Sequence, residues 1–131
     1  MRLVDTSAWI EWLLASPTAM AITPLIPPKE EWLVPTIVQH ELAKWLARVL
    51  SEEKSDQVIA FTRTCIVATL DTRIALFAAD HCRYHKLATA DAVVYATAQQ
   101  YGAELLTCDT HFEGLPGVVL VRKITPTPPI P

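Results

Sequence analysis

The sequence predicts an α/β fold, a central, mostly parallel sheet of short strands with helices on both sides. Three observations carry that expectation. Short apolar runs alternate with longer amphipathic segments along the whole chain. The short runs are apolar at consecutive positions rather than at every second one, as expected of strands covered on both faces. Capping residues or prolines stand at most of the boundaries between them. With 131 residues, 51% of them hydrophobic, the chain suffices for one well-packed domain and is too apolar for a disordered segment.

Arg2–Val4 (RLV) reads as the first strand, followed by a helix over Ser7–Leu14 with Trp9, Ile10, Leu13 and Leu14 on its apolar side. Ser16-Pro17 can open another helix, but Pro24, Pro27 and Pro28 keep it short or kinked. Trp32–Val34 is a second strand. Thr36 can cap the helix IVQHELAKWLARVL, in which Val38, Leu42, Trp45, Leu46 and Val49 form one arc. A more polar helix is expected over Ser51–Arg63 and a third strand over Cys65–Leu70. Asp71 or Thr72 can cap a helix reaching about His85, and Thr89 can cap ADAVVYATAQQY, which Gly102 closes. ELLTCD and GVVLVRK complete the sheet. Residues 1–124 thus form a single domain, and the proline-rich TPTPPIP of 125–131 is expected to be an extended tail.

No apolar run reaches the roughly 18 residues that cross a bilayer. The first residues do not read as a signal peptide. The three cysteines Cys65, Cys82 and Cys108 are scattered and odd in number, which suits a reducing cytoplasm better than a disulfide framework.

Four acids stand where solvated surface is not expected. Asp5 ends the first strand and Asp109 follows another, and in a parallel α/β sheet the carboxyl ends of strands form the ligand edge. Asp91 falls in the first turn of an otherwise apolar helix, where it could simply complement the helix dipole. Glu41 lies at the edge of an apolar arc between Ile37 and Trp45, where a charge needs a partner; Lys44 or Arg48 could supply one. Asp5 could equally be a helix cap, with Thr6 and Ser7 as further acceptors. If the four acids converge, they need a hard divalent cation such as Mg²⁺ or Mn²⁺, which takes carboxylate and water oxygens and leaves room for phosphate. Such a site can activate water for phosphodiester hydrolysis.

LVDTSAWIEWL, the HEL of His40–Leu42, TADAVVYATA and LLTCDTHF resemble, in order, the four signature blocks of PIN-domain proteins, in particular the VapC-type toxins of toxin–antitoxin pairs. The resemblance runs from Met1 to about Val121. It implies the PIN fold, a three-layer sandwich, and an Mg²⁺-dependent endoribonuclease, with Mn²⁺ as a substitute. It assigns Asp5, Glu41, Asp91 and Asp109 as catalytic and metal-binding acids. Ser7 would help to hold water at the metal, and Thr107 matches a supporting hydroxyl position. It further implies a homodimer, whose interface is expected in the helices Ile37–Leu50 and Ser51–Arg63. It also implies an RNA substrate and a cognate antitoxin that covers the acids with a basic side chain. The stretch Pro17–Pro28 departs from the family's usual helix.

Net charge is −3, against the usual basicity of nucleic-acid binders. Setting the four acids aside leaves 11 basic against 10 acidic residues, so the acidity is concentrated where a metal would neutralise it. Lys44, Arg48, Arg73 and Lys86 are candidate RNA contacts but read better as solvated surface. His81 and His85 have a zinc-ligand spacing without a partnering pair, and a polar helix face is the better reading. His111 either approaches the acids or shapes its loop, and the loop is favoured. Cys108 lacks a base and reads as an apolar filler. The four tryptophans could stack RNA bases but fit core or interface better. Two other functions share parts of the pattern. One is a PIN nuclease of RNA processing outside a toxin pair, the other a silent PIN-like binding module. An aspartyl-phosphate phosphatase would need an acid at position 7, where this chain has Ser7.

Overall fold

The computed structural model describes residues 1–124; the tail expected over 125–131 lies outside them. Five parallel strands form one sheet: β1 (Arg2–Val4), β2 (Trp32–Pro35), β3 (Ile66–Ala68), β4 (Glu104–Thr107) and β5 (Val118–Leu120). Their order is β3-β2-β1-β4-β5. Leu3 at the centre stands in register with Leu33 on one side and Leu105 on the other. Leu3, Val4, Leu33, Val34, Leu105 and Leu106 are all fully buried, so the inner strands are covered on both faces, as their unbroken apolarity requires.

Six helices supply the cover: α1 (Thr6–Leu13), α2 (Ala19–Ile22), α3 (Thr36–Val49), α4 (Glu52–Thr64), α5 (Thr72–His85) and α6 (Thr89–Gln100). From β1 to β3 the chain steps one way across the sheet; from β3 to β4 it returns over both. Right-handed crossovers therefore put α1, α3 and α4 on one face and the α5–α6 pair on the other. Each face has its own aromatic cluster. Trp32 packs at a tilt 4.5 Å from Trp9 and meets Phe61 of α4 at 5.3 Å. Across the sheet, Tyr95 of α6 meets His81 of α5 at 4.8 Å. The tryptophans split: Trp9 and Trp32 belong to the core, whereas Trp12 and Trp45 are half-buried against it.

Several boundaries differ from expectation for local reasons. Ser16-Pro17 opens only a turn, and α2 has four residues before a 3-10 turn over Thr23–Leu25 that is over before Pro27. Thr36 and Thr89 are first helical residues rather than caps. Pro35 and Ala88 hold the extended backbone before them, and neither helix has a side-chain cap. Asp71 does cap α5, accepting the Ile74 N–H at 2.9 Å. The third strand shrinks to Ile66–Ala68, because as an edge strand it pairs only with Leu33–Pro35 of β2. The last strand stops at Leu120, although Val121 N–H still donates to Thr107 O at 2.9 Å. Gly102, at φ +64°, turns the chain out of α6 in the left-handed conformation that glycine adopts without strain.

Candidate metal centre and active site

In this strand order the direction of winding reverses between β1 and β4. The carboxyl ends of those two strands leave a crevice at the switch point. Asp5 follows β1 directly, and Cys108-Asp109 follow β4.

Asp5 has the backbone of a helix cap, φ −66° and ψ 154°, and its carbonyl accepts the N–H groups of Ala8 and Trp9. Its side chain makes no capping bond. Instead Oδ2 accepts the Thr107 hydroxyl at 2.8 Å and the Ser7 hydroxyl at 2.9 Å. Each hydroxyl is used twice. Ser7 Oγ accepts Cys108 N–H and Thr107 Oγ1 accepts Asp109 N–H, both at 3.0 Å. A single network thus ties the Asp5 carboxylate to the backbone that carries Asp109. Asp5 is only 6% exposed. Burial pushes its carboxyl up to about 6 despite the two hydroxyl bonds, and the Glu41 carboxylate adds to the rise.

Glu41, half-buried on α3, accepts the Thr6 hydroxyl at 2.8 Å through Oε1. It does not use Lys44 or Arg48, which are exposed and form no ion pair among the described residues. Thr6, read from sequence only as a capping acceptor, is the residue that orients Glu41.

Asp91, in the first turn of α6, and Asp109 meet at His111. The His111 Nδ1 lies 3.2 Å from Asp91 Oδ2 and 3.3 Å from Asp109 Oδ1. One ligand atom from each of the three residues falls within 4.8 Å of the others, and Asp5 and Glu41 lie outside that group. Burial raises the pKa of Asp91, the His111 bond opposes the rise, and the Asp109 charge reinforces it. The preference for His111 as a loop residue is therefore corrected. Its N–H does bond Asp109 Oδ1 at 2.9 Å to shape the loop, but its ring also bridges two acids. Its place two residues beyond Asp109 was the available signal. The dipole reading of Asp91 does not describe its bond to His111.

The donor set fits a hard divalent cation. It consists of carboxylate oxygens from two strand ends and two helices, and two of the acids are held above their ordinary pKa, Asp5 by burial and the Glu41 charge, Asp91 by burial and the Asp109 charge. His81 and His85 do not offer a second centre. Their rings stack at 5.3 Å with no third ligand near them among the described residues. His81 is buried among Phe77, His85 and Tyr95 rather than on a polar face. Cys108 is buried, and burial pushes its thiol up to about 11, which suits a filler and not a nucleophile. No helix among the described residues is long and apolar enough to cross a membrane.

Comparison with solved structures found a toxin–antitoxin complex from Klebsiella pneumoniae at 25% identity and TM-score 0.82, covering 95% of this chain and 100% of that one. FitAcB from Neisseria gonorrhoeae follows at 25% identity and TM-score 0.67, over 85% of this chain and 89% of that one. VapC20 from Mycobacterium tuberculosis, a sarcin-ricin loop cleaving toxin, is 19% identical with TM-score 0.74, over 94% and 100%, and at that identity supports the fold alone. No curated protein sequence matched. The family profile of the PIN domain matches residues 2–118, a span that takes in all four acids, the two hydroxyls and His111. This chain, on that match and on the sheet order that brings its acids to one edge, belongs to the PIN domain family.

Proposed function

We propose that the protein is a metal-dependent endoribonuclease and the toxin of a type II toxin–antitoxin pair. One observation carries the chemistry: Asp5, buried and bonded to two hydroxyls, is joined through Thr107 to the backbone of Asp109 at the switch point. A polar network of that kind is what a charged ligand needs and is more than a helix cap requires. Asp5, Asp91, Asp109 and Glu41 would hold Mg²⁺, with Mn²⁺ as a substitute. When bound, the cation supplies positive charge to the phosphodiester oxygens and makes water a better nucleophile at neutral pH.

The chain's own residues do the rest. Ser7 and Thr107 fix the direction of the Asp5 carboxylate. Thr6 holds Glu41 by Oε1, leaving Oε2 to take the proton of the attacking water. Water adds to phosphorus, the bond to the leaving ribose oxygen breaks, and solvent returns a proton to that oxygen. A cavity of about 510 Å³ beside Asp109 and Ser7, open to solvent, admits a flexible strand.

The toxin role rests on likeness to toxin–antitoxin complexes that match this chain along nearly its whole length. A cognate antitoxin would cover the site and direct a guanidinium at the carboxylates, a planar bidentate match. The protein would act in the cytoplasm, in keeping with its free thiols. It would act as a homodimer through α3 and α4, where Val49 and Phe61 are exposed. Light scattering should give twice 14.5 kDa.

The deciding experiment is cleavage of a structured RNA with Mg²⁺ and with EDTA. Cleavage that EDTA abolishes and Mg²⁺ restores is expected. Equal cleavage in EDTA would overturn the metal mechanism, and no cleavage under either condition would favour a silent binding module.

A further inference from the structure

The acids explain where a metal would sit, but not what keeps a strand of phosphates against a chain of net charge −3. The cations considered from sequence do not help, since Lys44, Arg48, Arg73 and Lys86 are absent from the crevice wall. The cavity that Asp109 shares is lined by Ser7, Cys108, Thr110, Arg122 and Lys123 besides, so the two cations border the same space as one of the four acids.

These two cations are not on a free end of chain. Just before them, Val121 N–H donates to Thr107 O at 2.9 Å. Just after them, Ile124 N–H donates to Thr18 Oγ1 at 2.9 Å, and Thr18 is fully buried. Arg122 and Lys123 are thus the middle of a short bridge pinned to β4 at one end and to the loop ahead of α2 at the other. The two differ in what they already hold. Arg122 is paired with Glu113, so its charge is partly spent. Lys123 is exposed and forms no ion pair or hydrogen bond among the described residues. An ammonium on a flexible stem suits a phosphate oxygen whose position varies with the strand.

We infer that Lys123 is a substrate-positioning residue, binding the phosphate next to the one cleaved at the acids. The inference rests on the ribonuclease reading for the identity of the strand. One lysine–phosphate contact has a signature that a structural role lacks, because it releases counterion. For a single strand it contributes roughly 0.7 to the slope of log affinity against log salt.

The test compares wild type with Lys123→Gln, Lys123→Arg and Lys29→Gln. Lys29 lies ahead of β2, at the sheet edge opposite the site. The probe is a fluorescein-labelled 12-nucleotide single-stranded RNA. Binding is read by anisotropy in Ca²⁺ and cleavage in Mg²⁺, each from 50 to 200 mM KCl. Lys123→Gln should weaken binding and raise KM about 5- to 10-fold, leave kcat within about twofold, and flatten the salt slope by roughly 0.7. Lys123→Arg should keep most of the affinity, and Lys29→Gln should match wild type. Unchanged binding, KM and slope in Lys123→Gln would overturn the inference, as would a fall in kcat alone. Wild type that fails to bind the strand would also overturn it. Wild type that binds with the expected Lys123 dependence but does not cleave would sustain it while refuting the hydrolytic reading.

Discussion

Asp5 and Asp91, both proposed as site carboxylates, have raised pKa values, yet they are held by opposite means. Asp5 lies at the inner end, 6% exposed, and receives two neutral hydroxyls whose protons are committed to it. Asp91 lies at the rim, its side chain 22% exposed, and shares with Asp109 an imidazole that is itself 69% exposed. A neutral hydroxyl can orient a carboxylate but cannot cancel its charge. A histidine can carry a charge and can also swing away. The inner half of the site is therefore preorganised and electrostatically unsatisfied, and the rim is adaptable and has its own counter-group. This division predicts which substitutions damage function, which damage stability, and which do little.

The largest effect should come from the inner acid. Asp5→Asn keeps a side-chain acceptor for both hydroxyls and removes the charge. On the ribonuclease reading it should lower RNA cleavage by roughly 10³-fold, about 4 kcal/mol of barrier. It should also stabilise the metal-free protein. A carboxyl at about 6 in the fold against 3.8 unfolded disfavours folding by about 3 kcal/mol at pH 7. The unfolded state releases this proton first, so stability of the metal-free wild type should fall as pH rises from about 4 through 6. Thermal melts in EDTA across that range should show the decline in wild type and a flatter profile in Asp5→Asn. Mg²⁺ should reverse the order of the two melting temperatures at pH 7. An Asp5→Asn protein that cleaves at the wild-type rate would return Asp5 to the role of a cap.

Next in size is the hydroxyl that joins the two strands. Thr107→Val keeps shape and removes both the donor to Asp5 and the acceptor for Asp109 N–H. Loss of such an orienting partner should reduce cleavage by about 10- to 100-fold. The metal-free fold should lose about 1–3 kcal/mol, because a buried carboxylate and a backbone N–H are left short of partners. The contrast with Asp5→Asn is the point: both lower activity, but one melts higher without metal and the other lower. If both melted lower, the inner carboxylate would be satisfied by something other than its hydroxyls.

The same division explains what was legible in the sequence. β1, β2 and β4 could be read because strands buried on both faces must be apolar without interruption. Asp5 and Asp109 could be read because a charge that ends such a run has to face the ligand edge. Glu41 was conspicuous against its apolar arc. Its partner Thr6 was not, because that bond crosses 35 positions and no local pattern encodes it. Thr36 and Thr89 do not cap, because a cap needs extended backbone and that conformation falls one residue earlier, on Pro35 and Ala88. His81 has a polar side chain and a helical spacing, and only packing against Tyr95 and Phe77 reveals it as core. Arg122 and Lys123 sit in an apolar strand's tail, and nothing short of the fold brings them to the cavity that Ser7 and Asp109 line.

The smallest effect should come from the rim. His111 bridges Asp91 and Asp109 at 3.2 and 3.3 Å. Two readings of that bridge make different predictions. If the ring stands in for a cation, a metal entering between the carboxylates displaces it, and its loss removes a competitor. If the ring is itself a ligand, its loss removes a donor. Its exposure and its place on a short turn held by its own N–H favour the first, since an inner ligand is normally fixed by a second partner on its other nitrogen. Among the described residues Nε2 has no such partner. His111→Ala should therefore leave cleavage at saturating Mg²⁺ within about threefold and should not raise the Mg²⁺ concentration for half-maximal rate. A loss of 100-fold, or a half-saturation shifted upward by tenfold, would make His111 a ligand and extend the preorganised half of the site out to the rim.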